Sequence, residues 1–231
     1  MNVLLWDIDG TLLTTARAGV FALSQAAVEV AGPDRDMGAP PTGGLTDGRV
    51  AACVLEAAGA PVDPETVQRF LRVYERALPE RLGWREGRVL PGVREILEAM
   101  SARTDVLSLL LTGNTEAGAA AQLRHYGLDG YFALGGGFCV DGGGRAEIAR
   151  RALGVAADQL AGDVDLRRTF VIGDTGHDIA AGREIGARTV AVAFTFTPDE
   201  LREHDPWLVL DALPAPEQFV SSLGLDDPAR A

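Results

Sequence analysis

The sequence predicts an α/β protein built on a doubly wound parallel sheet with an inserted α-helical domain. Short and almost wholly apolar runs, such as residues 3–6 and 106–111, are typical of strands that are buried on both faces. From residue 89 onward such runs alternate with stretches of helical periodicity, which is the pattern of a parallel sheet covered by helices. Only one strand precedes a long helical stretch, so the simplest organisation is a single α/β core that carries a helical insertion.

The first part of the chain is predicted to contain one strand and three helices. Residues 3–6 form the strand, which breaks into the polar run Asp-Ile-Asp-Gly at residues 7–10. The segment at residues 34–46 is rich in Gly, Pro and Asp and is predicted to be a loop. Helical periodicity, with a first-position proline at Pro64, predicts the helices at residues 16–31, 49–58 and 64–78.

Residues 89–231 are predicted to alternate between strands and helices. The apolar runs that predict strands lie at residues 106–111, 131–134, 169–172, 189–194 and 207–210. The helical stretches lie at residues 93–101, 116–125, 145–153, 179–185, 198–203 and 216–223. We therefore predict a core domain formed by residues 1–13 and 89–231, and a helical cap domain formed by residues 14–88.

The composition limits the partners of the protein. A formal net charge of −12 leaves no excess of cations to neutralise a nucleic acid or an anionic membrane surface. A small phosphorylated metabolite remains a possible partner, because a metal ion and a few local dipoles can bind it inside a cleft. The chain shows no signal-peptide pattern and no apolar run of about 18 residues, so we expect a cytoplasmic protein that does not bind membranes.

The chain contains no lysine, and all 21 of its Lys and Arg residues are arginine. Mechanisms that need a lysine, such as a P-loop phosphate site or a Schiff base, are therefore excluded. The two cysteines, Cys53 and Cys139, have neither CxxC nor zinc-site spacing and are interpreted as free thiols.

Polar residues follow three of the predicted strands at the point where each strand ends. Ligands of open parallel sheets bind at the carboxyl ends of the strands, so these residues are expected to meet. They are Asp7 and Asp9 after residues 3–6, Thr112, Gly113 and Asn114 after residues 106–111, and Asp174 and Asp178 after residues 169–172. Four carboxylates in one small volume repel each other unless a cation or a shared proton compensates. Their hard oxygen ligands favour Mg²⁺ over zinc or copper.

Three motifs include these residues. They are Leu-Leu-Trp-Asp-Ile-Asp-Gly-Thr-Leu at residues 4–12, Leu-Leu-Thr-Gly-Asn at residues 110–114 and Val-Ile-Gly-Asp-Thr-Gly-His-Asp at residues 171–178. In this order, and each at a strand end, they resemble the motifs of the haloacid dehalogenase-like (HAD) phosphatase superfamily. The resemblance covers the whole core and implies a Rossmann-like fold, and the helical insertion looks like the family's type-1 cap.

The resemblance implies a role for each aspartate. Asp7 corresponds to the family's nucleophile, which attacks phosphorus and also binds the metal ion. Asp9 corresponds to the general acid–base, and its backbone carbonyl to a metal ligand. Asp174 corresponds to a further ligand of Mg²⁺, with Asp178 as another ligand or as the residue that holds the ligands in place. Helix capping by Asp174 and Asp178 is the alternative interpretation.

The resemblance also implies a site for the phosphoryl group. Thr112 and the backbone amides of Gly113 and Asn114 would bind the phosphoryl oxygens. The family commonly has a lysine near this group, and the chain departs from that pattern. Arg145 lies at the corresponding place and is the candidate cation, since a guanidinium can bind two phosphoryl oxygens at once. A solvated arginine at the start of a helix is the alternative.

Three residues of the predicted cap are candidates for contact with substrate. Arg17 lies near the hinge into the cap, and Thr46 and Asp47 lie in a cap loop. A purely structural role is an open alternative for each of them.

The sequence thus predicts a Mg²⁺-dependent phosphatase that hydrolyses a small phosphate monoester through an aspartyl-phosphate on Asp7. The resemblance favours activity like that of phosphoglycolate phosphatase, and a sugar phosphate is an open alternative substrate. A phosphomutase of the same superfamily is an alternative function, because the site motifs do not separate the two reactions. The other alternative is a HAD-fold binding protein without catalytic activity. The presence of an aspartate at every acidic position of the motifs argues against it.

Overall fold

The computed structural model describes residues 1–33, 43–84, 86–140 and 143–226. Most of the predicted loop, at residues 34–42, lies outside the described residues. None of the helices in these ranges has both the length and the apolar character that a membrane-spanning segment requires.

The observed elements follow the predicted alternation of strands and helices. The strands are β1 (Asn2–Trp6), β2 (Leu13–Thr14), β3 (Arg88–Val89), β4 (Val106–Leu111), β5 (Gly136–Gly137), β6 (Thr169–Gly173), β7 (Arg188–Val192) and β8 (Leu208–Leu210). The helices are α1 (Ala18–Ala31), α2 (Asp47–Ala57), α3 (Pro64–Leu82), α4 (Val93–Ser101), α5 (Glu116–Tyr126), α6 (Arg145–Leu160), α7 (Gly176–Glu184), α8 (Pro198–Arg202) and α9 (Pro216–Leu223). Six strands form one sheet in the order β5-β4-β1-β6-β7-β8, and neighbouring strands pair in parallel. This sheet confirms the predicted fold class.

Strand β1 lies inside the sheet and is buried on both faces. Leu4 and Trp6 belong to one apolar cluster with α4 and α9, where Phe219 stacks on Trp6 at a centroid distance of 5.7 Å. Val3 and Leu5 belong to a second cluster, with α6 and α7 on the opposite face. Neighbouring residues of a strand point to opposite faces, which explains why residues 3–6 are all apolar.

Helices α1, α2 and α3 share an apolar cluster of their own. Its fully buried members include Leu55 of α2 and Phe70 of α3. The helical segment joins the sheet through the antiparallel pairing of β2 with β3, where Leu13 faces Val89. The two ends of the segment therefore lie side by side, next to the boundaries predicted from the sequence. Its assignment as a separate cap domain of residues 14–88 stays a prediction.

The predicted strand at residues 131–134 is wrong. A 3₁₀ turn at Asp129–Phe132 takes its place, and the edge strand of the sheet is formed by Gly136–Gly137 instead. A Cβ atom at Gly137 would lie 2.2 Å from the carbonyl oxygen of Ile148 in α6, so the strand passes too close to this helix for a side chain. A strand made of two glycines has no apolar pattern by which the sequence could indicate it.

Three helices differ from the predicted bounds by three residues or more at one end, and α3 is one of them, since it continues to Leu82. Helix α7 begins at Gly176, three residues earlier than expected, because Thr175 and Asp178 exchange the hydrogen bonds of a capping box. Helix α6 continues through Gly154 to Leu160, past the predicted end at residue 153. The longer α6 and α7 cover more of one face of the sheet.

We expect Gly182→Ala to destabilise the protein, although alanine favours helices more than glycine does. Gly182 lies in α7, where a Cβ atom would be 2.4 Å from Cγ2 of Thr189 and 3.1 Å from Cβ of Val171 in the sheet. This overpacking should lower the free energy of unfolding by about 1–3 kcal/mol. Urea unfolding followed by circular dichroism measures the change.

The matched control is Gly154→Ala in α6, since nothing lies within 4 Å of a Cβ atom at that position. This substitution should raise the free energy of unfolding by up to about 1 kcal/mol, because only the gain in helix propensity remains. The same effect for both substitutions would contradict the close packing of α7 on the sheet.

Candidate active site

The residues that follow β1, β4 and β6 meet at one edge of the sheet. The three strands are neighbours, and Trp6 at the end of β1 pairs with Leu110 of β4 and with Ile172 of β6. A cavity of about 330 Å³ opens at this edge and extends to the helical segment. The candidate residues that line it are Asp7, Asp9, Arg17, Asp47, Thr112, Asn114, Arg145 and Asp174.

Three aspartates form a buried cluster at the floor of the site. Asp7, Asp174 and Asp178 each offer a carboxylate oxygen, and these oxygens lie within 4.8 Å of one another. Burial raises the pKa of Asp7 well above its ordinary value; Arg145 lowers this pKa, and the two other carboxylates raise it further. Like charges this close are unfavourable unless a cation or a proton lies between them.

The environment of Asp174 fits a cation. Neither of its carboxylate oxygens has a hydrogen-bond partner among the described residues, although both are buried. Burial raises the pKa of Asp174 to about 7. The nearby Thr195 lowers this pKa somewhat, although it forms no hydrogen bond of normal geometry with the carboxylate. A Cβ atom at Gly10 would lie 2.1 Å from Oδ2 of Asp174, so only glycine lets the loop after β1 pass this carboxylate. A set of carboxylate oxygens suits a hard divalent cation.

Asp178 differs from Asp174 because both of its oxygens have partners. Oδ2 accepts hydrogen bonds from the backbone N–H of Thr175, at 3.1 Å, and from its hydroxyl, at 2.6 Å. Oδ1 accepts a hydrogen bond from Nη1 of Arg145. The capping role considered for this residue is thus present, and the same carboxylate also holds the guanidinium.

Arg145 is the first residue of α6, and its guanidinium reaches the acidic cluster. Nη1 lies 3.3 Å from Oδ1 of Asp7 and donates to Asp178, while Nε donates to the carbonyl of Gly44 at 3.3 Å. Burial lowers the pKa of Arg145, but Asp178 and Asp7 raise it more, so the pKa lies above its ordinary value. The side chain is therefore a permanent cation beside Asp7, and only 11% of it is exposed to solvent.

Asp9 lies apart from the acidic cluster and opens into the cavity. Its Oδ2 accepts a hydrogen bond from Nδ2 of Asn114 at 2.8 Å and one from Nε2 of Gln122 at 3.5 Å. The enclosing protein raises the pKa of Asp9 by desolvation, and these two hydrogen bonds lower it. A raised pKa makes the protonated form of this carboxyl group more accessible than in an ordinary aspartate.

The loop after β4 is held by hydrogen bonds on both sides. Oγ1 of the buried Thr112 accepts from the backbone N–H of Asn114 at 3.3 Å, and the carbonyl of Asn114 accepts from the N–H of Cys139 at 2.9 Å. The carbonyl of Gly113 accepts from the N–H of Asp47 at 2.8 Å. The loop is therefore fixed where its polar groups border the cavity.

The three cap candidates have different surroundings. Arg17 lines the cavity with a left-handed backbone conformation (φ 70°), and its guanidinium forms no hydrogen bond or ion pair with another described residue. The hydroxyl of Thr46 accepts from the N–H of Arg49 at 3.3 Å and caps α2, which favours the structural role for this residue.

Asp47 is buried at the start of α2 and borders the cavity. Its Oδ2 accepts a hydrogen bond from the backbone N–H of Thr115 at 2.8 Å. Burial raises the pKa of Asp47 to about 7; the bond from Thr115 lowers it, and Asp9 raises it. This carboxylate thus links the helical segment to the loop after β4.

Two further residues of the site were not found from the sequence. Gln122 is buried in α5 and donates to Asp9. The feature that could have indicated it is a polar side chain directly after a run of small apolar residues in the predicted helix. Tyr74 of α3 is buried and also lines the cavity, and Asp47 and Asp9 add to the effect of burial in raising its pKa.

We expect the stability of the metal-free protein to fall as the pH rises. In the unfolded chain, the carboxyl groups of Asp174 and Asp47 have a pKa of about 4. In the folded protein, each has a pKa of about 7. The folded protein therefore binds these protons more tightly, and it loses that advantage as the pH rises from about 4 through about 7. In EDTA, the melting temperature should be higher at about pH 5.5 than at about pH 8.

Added Mg²⁺ should raise the melting temperature more at about pH 8 than at about pH 5.5, because protons compete with the cation for the cluster. Asp174→Asn is the control and should weaken both the pH dependence in EDTA and the effect of Mg²⁺. An equal effect of Mg²⁺ on the wild type and on this variant would show that the cluster does not hold the cation. Differential scanning fluorimetry measures all four conditions.

The family of the chain follows from comparison with known proteins. A family model described as haloacid dehalogenase-like hydrolase matches residues 1–186. Phosphoglycolate phosphatase of Agrobacterium fabrum is 31% identical over 222 residues, which cover 90% of this chain and 87% of that protein. The probable phosphatase IndB of Dickeya dadantii is 28% identical, over 90% of this chain and 89% of its own.

A solved structure shows the same fold. A hydrolase from Pseudomonas syringae superposes with a TM-score of 0.70 at 19% identity, over 96% of this chain and 99% of that one. At this identity the match shows the fold alone. The family model and the relative from Agrobacterium fabrum together decide the classification: this chain belongs to the haloacid dehalogenase-like hydrolase family.

Proposed function

We propose that the protein is a Mg²⁺-dependent phosphatase that hydrolyses a small phosphate monoester, with Asp7 as the nucleophile. The observation that carries the proposal is the separation of two kinds of carboxylate at one sheet edge. Asp7 lies in the buried cluster with Asp174 and Asp178, whereas Asp9 lies outside it with its own hydrogen-bond donors. Membership of the HAD-like hydrolases and the phosphatase names of two relatives support the same reaction.

The substrate phosphoryl group is proposed to bind between Asp7 and the loop after β4. Thr112 and the amides of Gly113 and Asn114 would orient its oxygens, and Arg145 would offset their charge. Asp7, Asp174 and the backbone carbonyl of Asp9 would hold Mg²⁺, with Asp178 as a further ligand or as a support through Arg145. The bound Mg²⁺ would supply positive charge to the phosphoryl oxygens and to the carboxylates.

Two displacements at phosphorus would complete the reaction. In the first, an oxygen of Asp7 attacks phosphorus, the bond to the leaving oxygen breaks, and Asp9 gives its proton to that oxygen. In the second, Asp9 takes a proton from a water molecule whose oxygen attacks phosphorus, which releases phosphate and restores Asp7. The raised pKa of Asp9 supports this double role, because the group must be protonated in one step and ionised in the other.

The helical segment is proposed to act as a cap over the site, which excludes water and selects the substrate. A cavity of about 330 Å³ suits a small monoester. We propose a short phosphorylated acid such as phosphoglycolate as the first substrate to test, because two features support it. A relative from Agrobacterium fabrum is named phosphoglycolate phosphatase, and Arg17 offers the cavity a guanidinium without a partner among the described residues.

Replacement of the nucleophile should abolish phosphate release. We expect the wild type to release inorganic phosphate from p-nitrophenyl phosphate with Mg²⁺ but not with EDTA. Asp7→Asn should lower kcat by about a thousandfold or more, since the amide cannot form the covalent intermediate. A colorimetric phosphate assay measures the release.

Asp199→Asn is the matched control for this experiment, because Asp199 is 95% exposed and does not line the cavity. It should keep full activity. Undiminished activity of Asp7→Asn would contradict the proposed nucleophile. An inactive wild type on a panel of small monoesters would contradict the phosphatase and direct attention to the mutase or to the inactive binding protein.

Removal of the cavity guanidinium should affect acidic substrates selectively. We expect Arg17→Gln to lower kcat/KM for phosphoglycolate by about tenfold or more, through loss of a charge-assisted contact with the substrate carboxylate. The value for p-nitrophenyl phosphate should change by less than about threefold, because this substrate has no second anionic group. Arg150→Gln, a surface variant at the ion pair with Glu184, is the control. The same loss on both substrates would contradict the selective contact.

A further inference from the structure

We propose that Asp47 is a positioning residue that holds the loop after β4 and the start of α5 against Asp9. The inference rests on the proposed function, because it concerns the acid–base step. Asp47 belongs to the helical segment, whereas the loop and α5 belong to the sheet domain. The proposal therefore makes the acid–base site depend on a contact between the two parts of the molecule.

Two hydrogen bonds from one residue enclose the loop. The backbone N–H of Asp47 donates to the carbonyl of Gly113 at 2.8 Å, and its Oδ2 accepts from the N–H of Thr115 at 2.8 Å. Asn114 lies between these two anchors. Because Asp47 bonds to the residues on either side of Asn114, it fixes the backbone from which this amide side chain extends.

Both hydrogen-bond donors to Asp9 extend from the part of the chain that Asp47 anchors. Asn114 donates through Nδ2 at 2.8 Å, and Gln122 donates through Nε2 at 3.5 Å. Gln122 lies in α5, and Thr115 is the N-cap of that helix. The carboxylate of Asp47 thus binds the N-cap residue of the helix that carries the second donor. The helix dipole also stabilises a negative charge at the N-terminus of a helix.

At Gly113 the contact leaves no room for a side chain. A Cβ atom at Gly113 would lie 2.9 Å from the carbonyl oxygen of Leu45 and 3.2 Å from Cα of Thr46. The N–H of Gly48 donates to Sγ of Cys139 at 3.4 Å on the other side of the loop. A shift of the segment before α2 would therefore move the loop or break its hydrogen bonds.

The alternative role for Asp47 is direct contact with the substrate, since the residue borders the cavity. The two roles make different predictions. A positioning residue affects hydrolysis of the aspartyl-phosphate by the same factor for every substrate, because Asp9 activates the water molecule in this shared step. A substrate contact affects each substrate according to the group that it meets.

The test compares Asp47→Ala and Asp47→Asn with the wild type. Asparagine keeps a carbonyl oxygen that can accept from the N–H of Thr115, whereas alanine removes the acceptor. Asp63→Ala is the matched control, because Asp63 caps α3 through Thr66 in the same helical segment but lies outside the site. kcat and KM are measured with Mg²⁺ for p-nitrophenyl phosphate and for phosphoglycolate, together with the melting temperature.

We expect Asp47→Ala to lower kcat by about tenfold or more on both substrates while KM changes little, because misplacement of a catalytic group acts on the chemical step. Asp47→Asn should stay within about threefold of the wild type, and Asp63→Ala should lower only the melting temperature. A loss that differs between the substrates, an equal loss in Asp47→Asn and Asp47→Ala, or full activity of Asp47→Ala would each overturn the proposal.

Amide hydrogen exchange supplies a measurement that does not depend on activity. Exchange in the peptide that spans residues 112–122 should be faster in Asp47→Ala than in the wild type, and unchanged in Asp47→Asn and Asp63→Ala. Unchanged exchange in Asp47→Ala would overturn the positioning role. If the wild type hydrolyses no monoester, the proposed function fails, and this exchange still decides whether Asp47 holds the loop.

Discussion

Repulsion among three buried aspartates is the constraint on which the rest of the site depends. Asp7, Asp174 and Asp178 bring oxygens within 4.8 Å of one another, and burial raises the pKa of Asp7 and Asp174. The chain offsets part of this charge with the guanidinium of Arg145 and with the two hydrogen bonds from Thr175 to Asp178. Neither forms a hydrogen bond to Asp174, which is left to a cation. The acidic cluster and the cation are therefore best understood as one unit.

Such a cluster requires backbone and carboxylate to approach more closely than side chains normally allow. Gly10 meets this requirement beside Asp174. Gly113 allows a similar close approach to the backbone carbonyl of Leu45 in the helical segment. The first glycine also has a φ of 81°, a conformation that residues with a Cβ atom rarely adopt. Two motif glycines are thus required for steric reasons, one by its contact with the acidic cluster and one by its contact with the helical segment.

The helical segment contributes to the site through contacts rather than through the central chemistry. Its own apolar cluster, around Phe70, is separate from those of the sheet. It meets the sheet domain where Asp47 binds the loop after β4 and where the carbonyl of Gly44 accepts from Arg145. A segment with its own core can hold a fixed shape while it presents these few polar groups to the active site.

The sequence by itself determined the fold class and which aspartates meet at the candidate site. Both depend on local information, since buried parallel strands are apolar without interruption and the residues directly after them lie at the ligand-binding edge. The sequence could not indicate the glycine strand β5, which has no apolar pattern, or the pairing of Gln122 with Asp9, 113 positions apart. Only the tertiary structure decided that Arg145 is buried against Asp7 and that Asp47 anchors the loop after β4. These contacts join residues 138 and 68 positions apart, and long-range packing, not local pattern, sets such distances.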